Sequence, residues 1–233
     1  MKIEREMDWV KKSTEIDSLD LEVCFLLQDN FYIGDSNNHE QLQDEKYREP
    51  LELPPFERVV PTMARTSEVI ENVGELATYY KNIIEKSVAL KKPFNEIRQD
   101  FWLRLWFWNT EEDVYVSFPW YDSLSEMQQF FSWLNDNPEE PYLDLDQGWQ
   151  IDAVRVGKNI HIRQTDPDYD EEYSNVSVPF EKFLQRANEV EARAQKIISG
   201  LSKELGVDVW SKYLNDASFG TAEWQPNKKI NQT

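Results

Sequence analysis

"GWQIDAVRVGKNIHIRQTDPD", residues 148–168, is the stretch whose reading decides the fold. Apolar and polar side chains alternate on both sides of Gly157-Lys158, as in Ile160, His161, Ile162 and Arg163, and period-two alternation is the mark of a strand with one covered face. A glycine at the first central position of a two-residue turn closes such strands into a hairpin. The turn also fixes the register: Val156 faces Asn159, Val154 faces His161 and Asp152 faces Arg163, the last pair being opposite in charge, as a correct register favours.

Working outward, "SNVSVP" reads as a further short strand. The segment 180–205 then places Phe183, Leu184, Ala187, Val190, Ala194, Ile197, Ile198 and Leu201 on one stripe of a long helix, with Gly206 as its C′ stop. Upstream, "FWLRLWFW" and "VYVSFPW" flank "NTEED" and make an earlier hairpin. Phe101, Leu103, Leu105 and Phe107 share one face and Trp102, Arg104, Trp106 and Trp108 the other, so both strands are expected inside a sheet with cover on each side. "DSLSEMQQFFSWLND" is expected to form a helix capped by Asp122 or Ser123, with Glu126 in the capping-box position. "NPEEPYLDLDQG" is expected as an acidic loop interrupted by proline.

A helix is also expected from Thr66 or Ser67 to about Lys92, stopped by Pro93 and weakened at Gly74. Residues 21–35 suit one or two strands, "PLELPPFERVVP" an extended wrapping segment, and residues 207–214 a short helix. Strands that follow one another rather than alternating strictly with helices imply an α+β fold: an antiparallel β-meander of two hairpins and a short strand, with packed helices. A single body is expected, with residues 1–65 as an N-terminal strand and Pro-rich wrapping segment, 66–216 as the core and 217–233 as a polar tail.

Nine Trp, ten Tyr and twelve Phe give the 233-residue chain ample material for a core despite a net charge of −19. Seven glycines and no Walker A or dinucleotide fingerprint argue against a phosphate-cradling loop. The opening "MKIEREMDWVKK" lacks an apolar signal core, which makes a cytoplasmic location the expectation. The acidic field repels nucleic acid and anionic membranes and favours a basic protein partner.

No cofactor and no metal is expected. Cys24, the one cysteine, lies in the apolar run "LEVCFLL" and reads as a buried structural thiol. His39 reads as solvated and His161 as structural. Asp166, Asp168 and Asp170 open like a calcium loop, but Glu171 stands where the turn glycine is needed and Ser177 where the bidentate glutamate is needed. No nucleophile elbow, zinc-protease, deaminase or kinase signature is present, so no catalytic residue is named. The sequons at Asn175 and Asn231 read as chance in an unexported chain.

Charge distribution is more telling. Between Leu105 and Val154 stand eleven acids and neither lysine nor arginine, and five more carboxylates fill residues 166–172. One acidic loop leads into the hairpin and the other leaves it, so both are expected at the end away from the Gly157 turn. The expected partner-binding residues are Asp136, Glu139, Glu140, Tyr142, Asp144 and Asp146 from the first loop. The second supplies Asp166, Asp168, Tyr169, Asp170, Glu171, Glu172 and Tyr173. Tyrosine among carboxylates suits an anchored, electrostatically steered interface with a Lys/Arg-rich protein. The alternative is a carbohydrate-binding module or carboxylate-based hydrolase with a Trp/Tyr-lined cleft.

The order "FWLRLWFW…VYVSFPW", then "GWQIDAVRVGKNIHIRQTDPD…VSVPFEKFLQRANEVEARAQKII", resembles small bacterial proteins encoded beside polymorphic toxins and taken to be their immunity partners. The likeness covers about residues 101–205. It implies a non-enzymatic cytoplasmic protein that binds a basic cognate toxin, such as a nuclease, and blocks it.

Overall fold

The computed structural model describes residues 7–35, 40, 44–121, 124–146 and 148–210. The fold is α+β. Its strands are β1 (Thr14–Glu15), β2 (Asp20–Leu26), β3 (Asn30–Tyr32), β4 (Arg48–Pro50), β5 (Met63–Arg65), β6 (Leu103–Asn109), β7 (Val114–Tyr121), β8 (Tyr142–Asp146), β9 (Trp149–Val156), β10 (Asn159–Asp166) and β11 (Glu171–Pro179). The longer helices are α1 (Val73–Leu90), α2 (Leu124–Asp136) and α3 (Phe180–Leu205). None of the described helices is long and apolar enough to cross a membrane.

The chain divides into two compact units, each assembled from separated segments. The first holds residues 7–24, Arg104–Tyr121 and Glu126–Ala194; the second holds Phe25–Leu103 and the described residues from 195 onward, with Leu124 and Ser125.

In the first unit a five-stranded sheet runs β1-β11-β10-β9-β8. The meander β8 to β11 is antiparallel throughout, and β1 adds to β11 in parallel. The central hairpin has the expected register, Val156 opposite Asn159, Val154 opposite His161 and Asp152 opposite Arg163, with Gly157 at φ 62°. Ile151, Ala153, Ile160, Ile162, Val176 and Val178 are buried, whereas Arg163, Asp152 and His161 share the opposite face. An aromatic cluster of Phe107, Phe118, Phe130 and Phe183, ring centroids 5.0–5.6 Å apart, fills the core of this unit.

Hairpin β6–β7 belongs to a second, four-stranded sheet rather than to the meander, in the order β5-β2-β6-β7. β6 is interior as expected, but β7 is the edge, which is why Pro119 is tolerated in it. Side chains close that edge: the Ser117 amide donates to Gln164 Oε1 at 2.9 Å, and Ser174 Oγ donates to the Tyr115 carbonyl at 2.7 Å. A buried glutamine facing a core is thereby explained.

Two further expectations change. The helix from residue 66 is a single turn, Thr66–Val69, followed by a break and then α1. Asn72 leaves helical geometry (φ −122°, ψ 23°) and donates its side-chain amide to the Glu68 carbonyl at 2.7 Å, a local bond that competes with the helix ladder. α1 ends on Lys91 in the left-handed region at φ 57°, ahead of Pro93. Residues 207–210 are irregular rather than helical; the remainder of that expected helix, the tail 217–233, Asn231, His39 and the caps Asp122 and Ser123 lie outside the described residues. In the second unit Trp210 is fully buried, donating its indole N–H to the Phe101 carbonyl at 3.0 Å beside Tyr80 and Phe25. Cys24 is buried.

Candidate functional site

The acidic stretch 166–172 is a tight turn between strands. Asp166 ends β10 and Glu171 begins β11, leaving Pro167 to Asp170 as the turn. Asp166 Oδ1 accepts the backbone N–H groups of Asp168 (2.9 Å) and Tyr169 (3.3 Å), an Asx turn that uses the carboxylate to hold the chain. Asp170 takes the left-handed conformation at φ 54°, which aspartate tolerates better than most residues. The result is an outward display: Asp168, Asp170, Glu171 and Glu172 are exposed, Tyr169 is 77% exposed and Tyr173 53%.

The turn after β8 reaches this same end. Gly148 sits at φ 89°, and a Cβ placed there would lie 3.6 Å from Asp168 Oδ2 and 3.9 Å from both oxygens of Asp166. Those are ordinary van der Waals distances, so it is the positive φ rather than crowding by the two carboxylates that favours glycine here. A shallow hollow of about 320 Å³ beside it is lined by Gln150, Arg163, Asp166, Asp170, Glu171 and Glu172. Arg163 is the cation at its base: it pairs with Asp152 at 2.8 Å and lies 5.1 Å over the Trp9 ring.

The other half of the expected site is not gathered there. Residues 142–146 are strand β8, not loop, and this strand carries the chain from one end of the sheet to the other. Asp136, Glu139 and Glu140 are exposed near the Gly157 end, where the Arg155 amide donates to the Pro138 carbonyl and Arg155 lies 3.7 Å from both Glu139 and Glu181. Tyr142 and Asp144 face the covered side of the sheet. Tyr121 donates to Asp144 Oδ2 at 2.5 Å and Tyr142 does so at 3.4 Å; burial pushes both phenols well above their ordinary pKa, helped by Tyr142 and then Asp144 for Tyr121 and by Asp144 for Tyr142. Asp146 closes β8 opposite Trp149, with its side chain outside the described residues.

Sequence reasoning passed over the N-terminal residues beside this face. Trp9 is 7% exposed and meets His161 edge-on at 6.4 Å, while His161 Nδ1 lies 3.1 Å from Ser13 Oγ. Burial holds His161 below the usual imidazole pKa. Trp9, Asp8, Lys12, Gln150, Asp152 and Glu172 help line a groove of about 630 Å³. The only signal for that contact was a lone tryptophan in a charged opening. Among the described residues no cluster of three or more His, Cys, Asp or Glu is arranged to hold a metal ion.

The site and sheet define an α+β protein with an acidic end on a mainly antiparallel meander. Comparison with family models, with curated proteins and with solved structures finds nothing that matches the chain.

Proposed function

We propose that this chain is a non-enzymatic, immunity-type protein that binds a basic cognate toxin in the cytoplasm through the acidic end of its five-stranded sheet. The observation that carries this reading is the exposed segment 167–173, where four carboxylates and two outward tyrosines project together beside Gly148 while Asp166 holds the turn. Rings such as Tyr169 and Tyr173 supply rigid contact area, and the carboxylates supply steering toward a cationic partner. A net charge of −19 extends the attraction beyond the contact itself.

The carbohydrate-directed alternative would use the groove beside Trp9, Asp152 and Glu172. It gains less, because Trp9 is covered by Arg163 and His161, and Asp152 is already paired with Arg163.

The test is kinetic. The product of the gene immediately upstream, purified and immobilised, should capture the chain with an association rate that falls as salt rises. Reversing Asp168, Asp170, Glu171 and Glu172 to lysine should slow association at least about tenfold at low salt. Unchanged association by that fourfold variant overturns the assignment of this end as the interface.

A further inference from the structure

The five-stranded sheet ends on β8, and that edge differs from the others. β7 is closed by the side chains of Gln164 and Ser174, and β1 is only two residues long. β8 is five residues long, and its sequence Tyr-Leu-Asp-Leu-Asp carries no lysine, proline or bulge; its one inward-facing charge, Asp144, is held by the Tyr121 and Tyr142 hydroxyls.

Hairpin geometry shows which of its backbone groups point outward. Val156 and Asn159 close a two-residue turn and are therefore a hydrogen-bonded pair, so Val154 and Asp152 bond toward β10 in alternation. Ala153 and Ile151 are left to bond β8 at Tyr142 and Asp144. Leu143 and Leu145 then present their N–H and C=O groups to the open side, where no backbone group among the described residues meets them. The two residues are 58% and 60% exposed. Against this edge runs a groove of about 380 Å³, lined on its far side by Trp120, Glu126 and Gln129 and on its near side by residues 142–145.

We infer that β8 is a docking edge that takes up an extended, basic segment of another protein as a sixth strand of this sheet. The inference rests on the basic-partner reading above and adds how the partner is held. Main-chain bonds to Leu143 and Leu145 supply attachment, and alternate side chains of the incoming strand supply selectivity. Those on one side meet the exposed leucines and are aliphatic. Those on the other enter the groove beside Asp144 and Glu126 and are lysine or arginine. A second copy of this chain is a poor occupant: antiparallel self-pairing about β8 brings the Asp144 carboxylates of two chains together, each chain carrying −19.

The probes are two synthetic peptides of one composition, one alternating valine and lysine, the other with the lysines in one block and the valines in another. Both carry the same charge, so attraction to an acidic protein alone binds them equally. Strand addition predicts that the alternating peptide binds at least about tenfold tighter and that Leu143→Pro and Leu145→Pro, which delete outward N–H groups without breaking a bond to β9, each remove that advantage. In the unaltered protein the amides of Leu143 and Leu145 should gain protection from hydrogen exchange with the alternating peptide and not with the block peptide. Equal affinities with no protection overturn strand addition while leaving the acidic surface standing. If the Asp168, Asp170, Glu171 and Glu172 reversal weakens neither peptide, the acidic-surface reading fails instead. A doubling of mass by light scattering that Leu143→Pro abolishes would assign the edge to a second copy and overturn the inference.

Discussion

Asp100 is 4% exposed, and burial pushes its carboxyl up to about 7, partly offset by the nearby Lys92 ammonium. Lys92 is itself buried, donating to the Gly34 carbonyl at 2.7 Å and pairing with Glu96 at 3.0 Å, so much of its charge is already engaged. A carboxyl with a raised folded pKa binds a proton in the native state that the unfolded chain has released, so stability falls as pH rises from about 4 to about 7 and is level above that. The span corresponds to something on the order of 4 kcal/mol. Urea midpoints measured across this window should fall with pH in the native protein and fall much less in Asp100→Asn; parallel slopes would show that the carboxyl is ionised in the fold. Nothing in "RQDFW" announces this burial. The same holds for Glu22, 1% exposed, whose partner Arg193 lies 2.6 Å away in space and 171 residues away in sequence. Local pattern reports which face a residue occupies, whereas a buried ion pair depends on which distant element arrives opposite.

At the scale of the element, the central hairpin, its register and the long helix were legible because each is fixed by local chemistry: a Gly157 turn, period-two alternation and an apolar stripe closed by Gly206. β8 was missed although "YLDLD" alternates, because its apolar positions Leu143 and Leu145 face outward and prolines precede it, so composition outweighed period. The break at 70–72 was missed because Asn72 acts through its side chain rather than its propensity. Helix glycines show how context decides the sign of a change. A Cβ on Gly74, in the first turn of α1, would meet nothing within 4 Å, but one on Gly200 would lie 3.3 Å from Val73 Cγ1, and a β-branched side chain in a helix has little rotamer freedom to move. Gly74→Ala should therefore stabilise by about 0.5–1 kcal/mol and raise the melting midpoint. In Gly200→Ala the same propensity gain should be cancelled by the contact, leaving the midpoint within about 1 °C of the parent or below it. Equal stabilisation by both would show that Val73 yields freely.

For the whole molecule, the acidic balance was read correctly as a sum and incompletely as a map. The 25 basic residues do not stay apart from the acids: Arg163 enters from β10 to meet Asp152, and Arg155 lies near Glu139 and Glu181. What remains after such pairing is an excess of 19 negative charges that a compact state must hold closer together than an unfolded chain does. Exposed pairs such as Lys11–Asp8 and Lys81–Glu204 each contribute little, in the range of about 0–1 kcal/mol, and cannot offset a repulsion summed over the chain. Raising ionic strength from ~10 mM to ~150 mM shortens the screening length from about 30 Å to about 8 Å, which removes most long-range repulsion while leaving buried contacts such as Glu22–Arg193 nearly intact. The melting midpoint should consequently rise by several degrees over that range, in sodium chloride and potassium chloride alike, because screening does not depend on the identity of the monovalent cation. A midpoint that falls with salt would mean that attractive pairs outweigh the net charge, and the acidic face would then be a balanced network rather than a field available to a partner.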